Sequence, residues 1–201
     1  MTKNVLIIGA TGTIGSAVTK YLFDHTDYHS TLFSRQATRQ YSNSQRIEVL
    51  DGNVLSSNDL VSPLKNSDFV FAALSGAVDK MAAALVQAMT TTDVKRLVMI
   101  SSMGIYNEIP ASIHFENLDN NPILVPFRKA ADIIEESNLD YTLIRPGWFT
   151  SGPVDYELTP KGTAFGGHDV SIASIVDLVY RLTSDSQLGN RASLGINTPI
   201  H

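Results

Sequence analysis

Gly9, Gly12 and Gly15 stand three residues apart in Gly-Ala-Thr-Gly-Thr-Ile-Gly, directly after the apolar run Val5-Leu6-Ile7-Ile8 and before a segment whose apolar residues recur at helical spacing. In that position each glycine has its own work: Gly9 permits a tight turn, Gly12 lets the backbone come close to a bound group, and Gly15 lets the helix sit near the strand. The N–H groups of Thr13, Ile14 and Gly15 open the helix, where donors have no intrahelical partner and the helix dipole is positive. With the hydroxyls of Thr11 and Thr13 they suit an anion, and the strand-turn-helix setting points to the pyrophosphate of a dinucleotide. Glycine spacing alone is weak, arising by chance in roughly one chain in fifteen of this length at ~7% glycine. The placement between strand and helix is what carries the information.

A second group bears on which dinucleotide is held. Leu32-Phe33-Ser34-Arg35 ends the second β-like segment, Arg39 follows four residues on, and no acid lies in that stretch. An NAD site usually sets Asp or Glu there for the ribose 2′-OH, whereas an NADP site offers cations to the 2′-phosphate. The Arg35 fork can bind phosphate bidentately with Ser34 as a further donor, so NADP is expected, with NADPH preferred over NADH. Other chemistries find less support. The chain has no cysteine, which excludes disulfides and thiol nucleophiles, and no His or carboxylate spacing suggests a metal. His114 and His168 are candidate proton sources that nothing in the sequence brings together. Glu135 and Glu136 read as the solvated side of a helix.

The elements that must position these residues are legible from hydrophobic pattern. Val5–Ile8, Phe69–Leu74, Leu97–Ile100 and Tyr141–Ile144 are apolar without alternation, as strands buried on both faces are. Weaker strand signals lie near 31–35 and 46–51. Helical stripes run through Ile14, Ala17, Val18, Tyr21 and Leu22; through Val78, Met81, Ala82, Leu85, Val86 and Met89; through Ile133 and Ile134; and through Ile172, Ile175, Val176, Val179 and Leu182. This alternation predicts an α/β fold: a single-domain, doubly wound parallel sheet of Rossmann type over residues 1–201, with helices on both faces. The irregular stretches near 107–122 and 151–169 follow strand carboxyl ends, where such sheets bind ligands, and are expected to wall a substrate pocket. At 201 residues, 43% apolar, with net charge -5 and no Lys/Arg block, the chain is expected to bind neither nucleic acid nor membrane. The absence of a leader pattern or an apolar span makes a cytoplasmic location the expectation.

Taken together, Gly9–Gly15, Asp51-Gly52-Asn53-Val54, Leu74-Ser75-Gly76, Ser101-Ser102 and Tyr141-Thr142-Leu143-Ile144-Arg145-Pro146-Gly147 resemble the atypical and extended short-chain dehydrogenase/reductase superfamily. Within it the chain is most similar to the short NmrA-like group that contains biliverdin reductase B and flavin reductase. The resemblance implies that Asn53 and Val54 flank the adenine, and that Ala73, Leu74 and Ser75 run beside the ribose and pyrophosphate. It places Ser101, Pro146 and Gly147 toward the nicotinamide, and it makes Ser102 a candidate catalytic hydroxyl. Trp148 or Phe149 would then stack on a flat acceptor.

Better-known members of the superfamily use Tyr-x-x-x-Lys to exchange a proton with the substrate oxygen. None of the seven tyrosines here has Lys four residues later. The family positions fall on Ile123 and Phe127, or with a two-residue shift on Val125 and Lys129. Without that acid, ketone reduction and sugar epimerisation lose ground. A flavin, a quinone or an extended tetrapyrrole delocalises the added charge and needs mainly to be positioned. The expected function is NADPH-dependent hydride transfer to a small, conjugated acceptor. The alternative is a non-catalytic, NADP-binding redox sensor of NmrA type.

Overall fold

The computed structural model describes residues 2–113 and 115–200, so His114 lies outside the described residues. The chain alternates strand and helix through β1 (Asn4–Ile8), α1 (Thr13–His25), β2 (His29–Ser34), β3 (Ile47–Asp51), α2 (Ser57–Lys65), β4 (Phe69–Ala72), α3 (Val78–Thr92) and β5 (Arg96–Ile100). It continues through α4 (Val125–Glu135), β6 (Asp140–Pro146), β7 (Trp148–Thr150), β8 (Glu157–Pro160), β9 (Asp169–Ser171), α5 (Ile172–Ser184) and β10 (Ala192–Asn197). The main sheet has the order β3-β2-β1-β4-β5-β6-β10-β8, and β7 pairs with β9 in a separate two-stranded ribbon. All main-sheet pairings are parallel except that of the edge strand β8, which lies antiparallel to β10.

Alternation along each strand divides the core between two helical layers. Leu6, Ile8, Phe33 and Val70 pack with Leu60 and Leu64 of α2, Leu85 and Met89 of α3 and Ile134 of α4. Val5, Ile7 and Leu32 face the other way, onto Val18 and Leu22 of α1 and Val179 and Leu182 of α5. Each fully buried Leu or Val contributes about 1.5–3 kcal/mol. No helix among the described residues is long and apolar enough to cross a membrane.

Several elements differ from the pattern reading. Helix α2 is short and carries Pro63 inside it, so its two buried leucines made no readable stripe. Strand β10 includes Ser193, Gly195 and Asn197; a Cβ on Gly195 would sit 2.7 Å from the Phe165 ring, so a glycine that looks like a strand breaker is a packing requirement. The stretch 151–169 is less irregular than its composition suggests, because β8 runs through it and closes the sheet edge.

Candidate functional site

Strand order reverses between β1 and β4, and in open α/β sheets the crevice at that switch point receives the ligand. Here the glycine turn is wedged between the two strand ends. Gly9 donates to the Phe33 carbonyl at 2.9 Å and has φ +83°, and a Cβ on it would lie 2.1 Å from the Ala73 carbonyl oxygen. Gly15 is needed for a similar reason, since its Cβ would meet the Gly9 oxygen at 2.1 Å. Gly12 is different: its φ is -78°, and a Cβ would meet only the Gly9 oxygen, at 3.4 Å. No atom of the protein requires a glycine there, which fits a group outside the chain approaching this backbone. Gly12 caps α1 with no side-chain hydrogen bond, and no acid lies in the first turn. The opening N–H groups of α1 are thus left for an external anion.

Around this turn lies a cleft of about 830 Å³. Gly9, Thr11 and Gly12 form its floor; Ser34, Arg35, Asn53 and Val54 lie on one side and Ala73, Leu74 and Ser75 on the other. Thr13, exposed at the start of α1, and Ile14 and Gly15, buried beneath the turn, lie outside the cleft lining. The cleft also takes in Gln36, Ala77 and Met81, which pattern reasoning missed, and Gly52 and Gly76, which stood in the family motifs without a site role. Gly76, with φ +93° just before α3, carried a readable signal; Met81 looked like core alone.

Arg35 is exposed, and among the described residues no hydrogen bond or ion pair engages it. Arg39 lies outside the cleft lining, in a single 3-10 turn, and interacts electrostatically with Asp51. No acid lies in the stretch from Leu32 to Arg39 itself, but the sheet brings one to it. Register pairs Asp51 with Ser34 across β2 and β3, bringing a carboxylate from 16 residues away in sequence to the same strand end. Its oxygens accept from the Thr38 amide at 2.9 Å and the Thr38 hydroxyl at 2.5 Å, and these bonds hold its carboxyl below the usual range.

At the ends of β5 and β6 the remaining expected residues gather away from the cleft lining. Ser101 donates its amide to Ile144 at 2.7 Å, and Pro146 and Gly147 are buried beside it. The Ser102 hydroxyl donates to the Met103 carbonyl at 3.1 Å. A Cβ on Gly147 would lie 2.4 Å from the His168 oxygen, so β9 crosses directly over this turn. Trp148, 55% exposed, meets Phe115 edge-on at 5.8 Å and lies near-parallel to His168 at 6.3 Å. Both irregular stretches therefore send a ring to Trp148. His168 also contacts Asp169 at 2.6 Å, and the pair borders a second cavity of about 420 Å³. Phe149, 46% exposed, follows Trp148 on β7 and so points to the opposite face.

Beneath the 107–122 stretch lies a polar network that the sequence did not reveal. Arg145, fully buried, pairs with Glu108 and donates to Ser193 and to the Thr159 carbonyl. Glu108 accepts from the amides of Gly104 and Tyr106, at 3.1 and 2.8 Å. The Tyr106 hydroxyl donates to Glu135 at 2.6 Å, and Glu135 also receives Lys161 at 2.6 Å. Glu135 is therefore drawn inward by tertiary partners and is not part of the solvated helix face, whereas Glu136 stays exposed. Lys161 stands 4.4 Å from the Tyr106 ring centroid, a Tyr/Lys juxtaposition built by the fold. Burial and the Glu135 bond push the Tyr106 phenol up, opposite to what a proton-exchanging tyrosine needs.

A family model described as NAD(P)H-binding matches residues 9–186. A short-chain dehydrogenase/reductase (wide type) from Veillonella parvula DSM 2008, solved in complex with NADP, superposes with a TM-score of 0.91 at 29% identity, covering 99% of this chain and 96% of that one. A Rossmann-fold NAD(P)-binding family protein from Shigella flexneri is 34% identical, with a TM-score of 0.86 and 99% and 95% of the two chains covered. The NAD(P)H azoreductase of Xenophilus azovorans is 27% identical over 154 residues, 76% of this chain and 50% of the azoreductase, so the match spans half the length of that relative.

Proposed function

The chain belongs to the NAD(P)H-binding family, and from that premise we propose that it is an oxidoreductase passing hydride from NADPH to a flat, conjugated acceptor such as a flavin or quinone, without a Tyr-x-x-x-Lys dyad. The observation that carries the reading is the aromatic platform at Trp148, half exposed beside the Gly147 turn and braced by Phe115 and His168. A bound nicotinamide supplies the hydride. The turn from Gly9 to Gly15 holds the pyrophosphate, Arg35 with Ser34 receives the 2′-phosphate, and Asn53 and Val54 flank the adenine. Ser101, Pro146 and Gly147 border the nicotinamide end, and Trp148 orients the acceptor by stacking. Positioning supplies most of the help, because a delocalised acceptor stores the added charge without an acid beside it. The azoreductase relative supports this reading, since an azo compound is also a flat conjugated acceptor.

One observation favours a second reading. The Ser102 hydroxyl is turned to the Met103 carbonyl, which leaves it engaged within the chain and suits an NADP-binding redox sensor without turnover. A single assay separates the two: NADPH or NADH is supplied with FMN, a quinone, an azo dye or buffer alone, and nucleotide oxidation is followed. The enzyme reading expects acceptor-dependent oxidation that is faster with NADPH, and a Trp148→Ala variant whose kcat/KM falls about tenfold while its NADPH Kd holds. Tight binding with no oxidation by any acceptor decides for the sensor.

A further inference from the structure

We propose that Asp51 is a positioning residue for cofactor choice: by gripping Thr38 it fixes the turn over residues 35–40, so that the Arg35 guanidinium is presented unpaired to an anion bound beside Ser34. The proposal rests on the reading of Arg35 as the 2′-phosphate contact. The turn is held at two points, in its middle and just past its end. Asp51 takes both the amide and the hydroxyl of Thr38, at 2.9 and 2.5 Å. At the far end the Tyr41 hydroxyl donates to the Ala10 carbonyl at 3.0 Å, anchoring the turn to the glycine loop. Ala37, directly before Thr38, is fully buried. Thr11 and Ser34 join their hydroxyls at 3.3 Å across the cleft floor, and the Gly52 amide bonds the Ser34 carbonyl at 3.0 Å. Within this braced frame Arg35 has no partner among the described residues.

Physically, the grip acts on two quantities. An arginine on a loose turn loses backbone as well as side-chain freedom when it captures phosphate, and fixing the turn beforehand removes the backbone share. The same bonds keep a carboxylate from facing the phosphate. Asp51 stands at the strand end where an acid would favour a ribose 2′-OH, but each of its oxygens accepts a bond from Thr38 and Arg39 lies near it.

The test is the ratio of NADH to NADPH dissociation constants, measured by calorimetry on the full chain, with a melting curve for each variant. Thr38→Val and Asp51→Ala are each expected to lower that ratio about five- to tenfold through weaker NADPH binding. Equal weakening of both nucleotides, or an unchanged ratio in a folded variant, overturns the proposal, because a merely structural grip would not discriminate. Tighter NADPH binding by Asp51→Ala also overturns it, and marks Asp51 as a repelling acid. Arg35→Ala separates the two levels: if it leaves the ratio unchanged, the phosphate reading of Arg35 itself falls.

Discussion

Glycine at position 9 and glycine at position 12 answer to different constraints, and their substitution separates fold from binding. Gly9→Ala places a Cβ inside the contact distance of the Ala73 carbonyl and strains a backbone at φ +83°. It is expected to cost about 2–4 kcal/mol in urea unfolding. Gly12→Ala meets nothing closer than 3.4 Å. It should leave the melting temperature within about 2 °C while raising the NADP(H) Kd tenfold or more, since the methyl group occupies the space of the phosphates. Comparable destabilisation by the two variants would show that Gly12 serves the fold and not the ligand.

Element by element, the sheet edge and the 107–122 stretch depend on one buried pair. Arg145 reaches from β6 to Glu108, which in turn accepts the amides of Gly104 and Tyr106. Removing the carboxylate leaves a fully buried guanidinium and two amides without it, a loss of about 3–5 kcal/mol. Glu108→Ala is therefore expected to lower the urea midpoint and to open the 107–122 stretch to proteolysis before the rest of the chain. Cleavage there at the wild-type rate would mean that other contacts hold the segment. Arg145 appeared in the sequence only as part of a family motif; its role became visible once β8 and β10 were placed against it.

For the whole molecule, titration sets a plateau of stability with two limbs. The carboxyls of Asp24, Asp51, Asp59 and Asp93 are held below their ordinary values by hydrogen bonds from Lys20, Thr38, Asn53 and Lys95. Their contribution is present above the unfolded value of about 3.9 and is lost as pH falls through the folded values. Burial raises the phenols of Tyr41, Tyr106, Tyr141 and Tyr156. Their contribution is complete below about pH 10 and is lost as pH rises through the folded values. Melting temperature measured against pH should fall off at both ends, and Tyr106→Phe should have the shallower alkaline limb. An alkaline limb identical in that variant would remove Tyr106 as a contributor. The sequence by itself determined the layered α/β architecture, because buried parallel strands and amphipathic helices leave local periodic patterns. It also determined the glycine turn, whose three glycines stand within seven residues, although the Ala73 carbonyl that excludes a side chain at Gly9 was brought there by the fold. Tertiary structure decided what depends on residues far apart in the chain: Asp51 beside Ser34 through strand register, Glu135 drawn to Tyr106 and Lys161, and Phe115 and His168 converging on Trp148. Those contacts leave no periodic trace, since each is set by how two elements cross and not by the spacing within either.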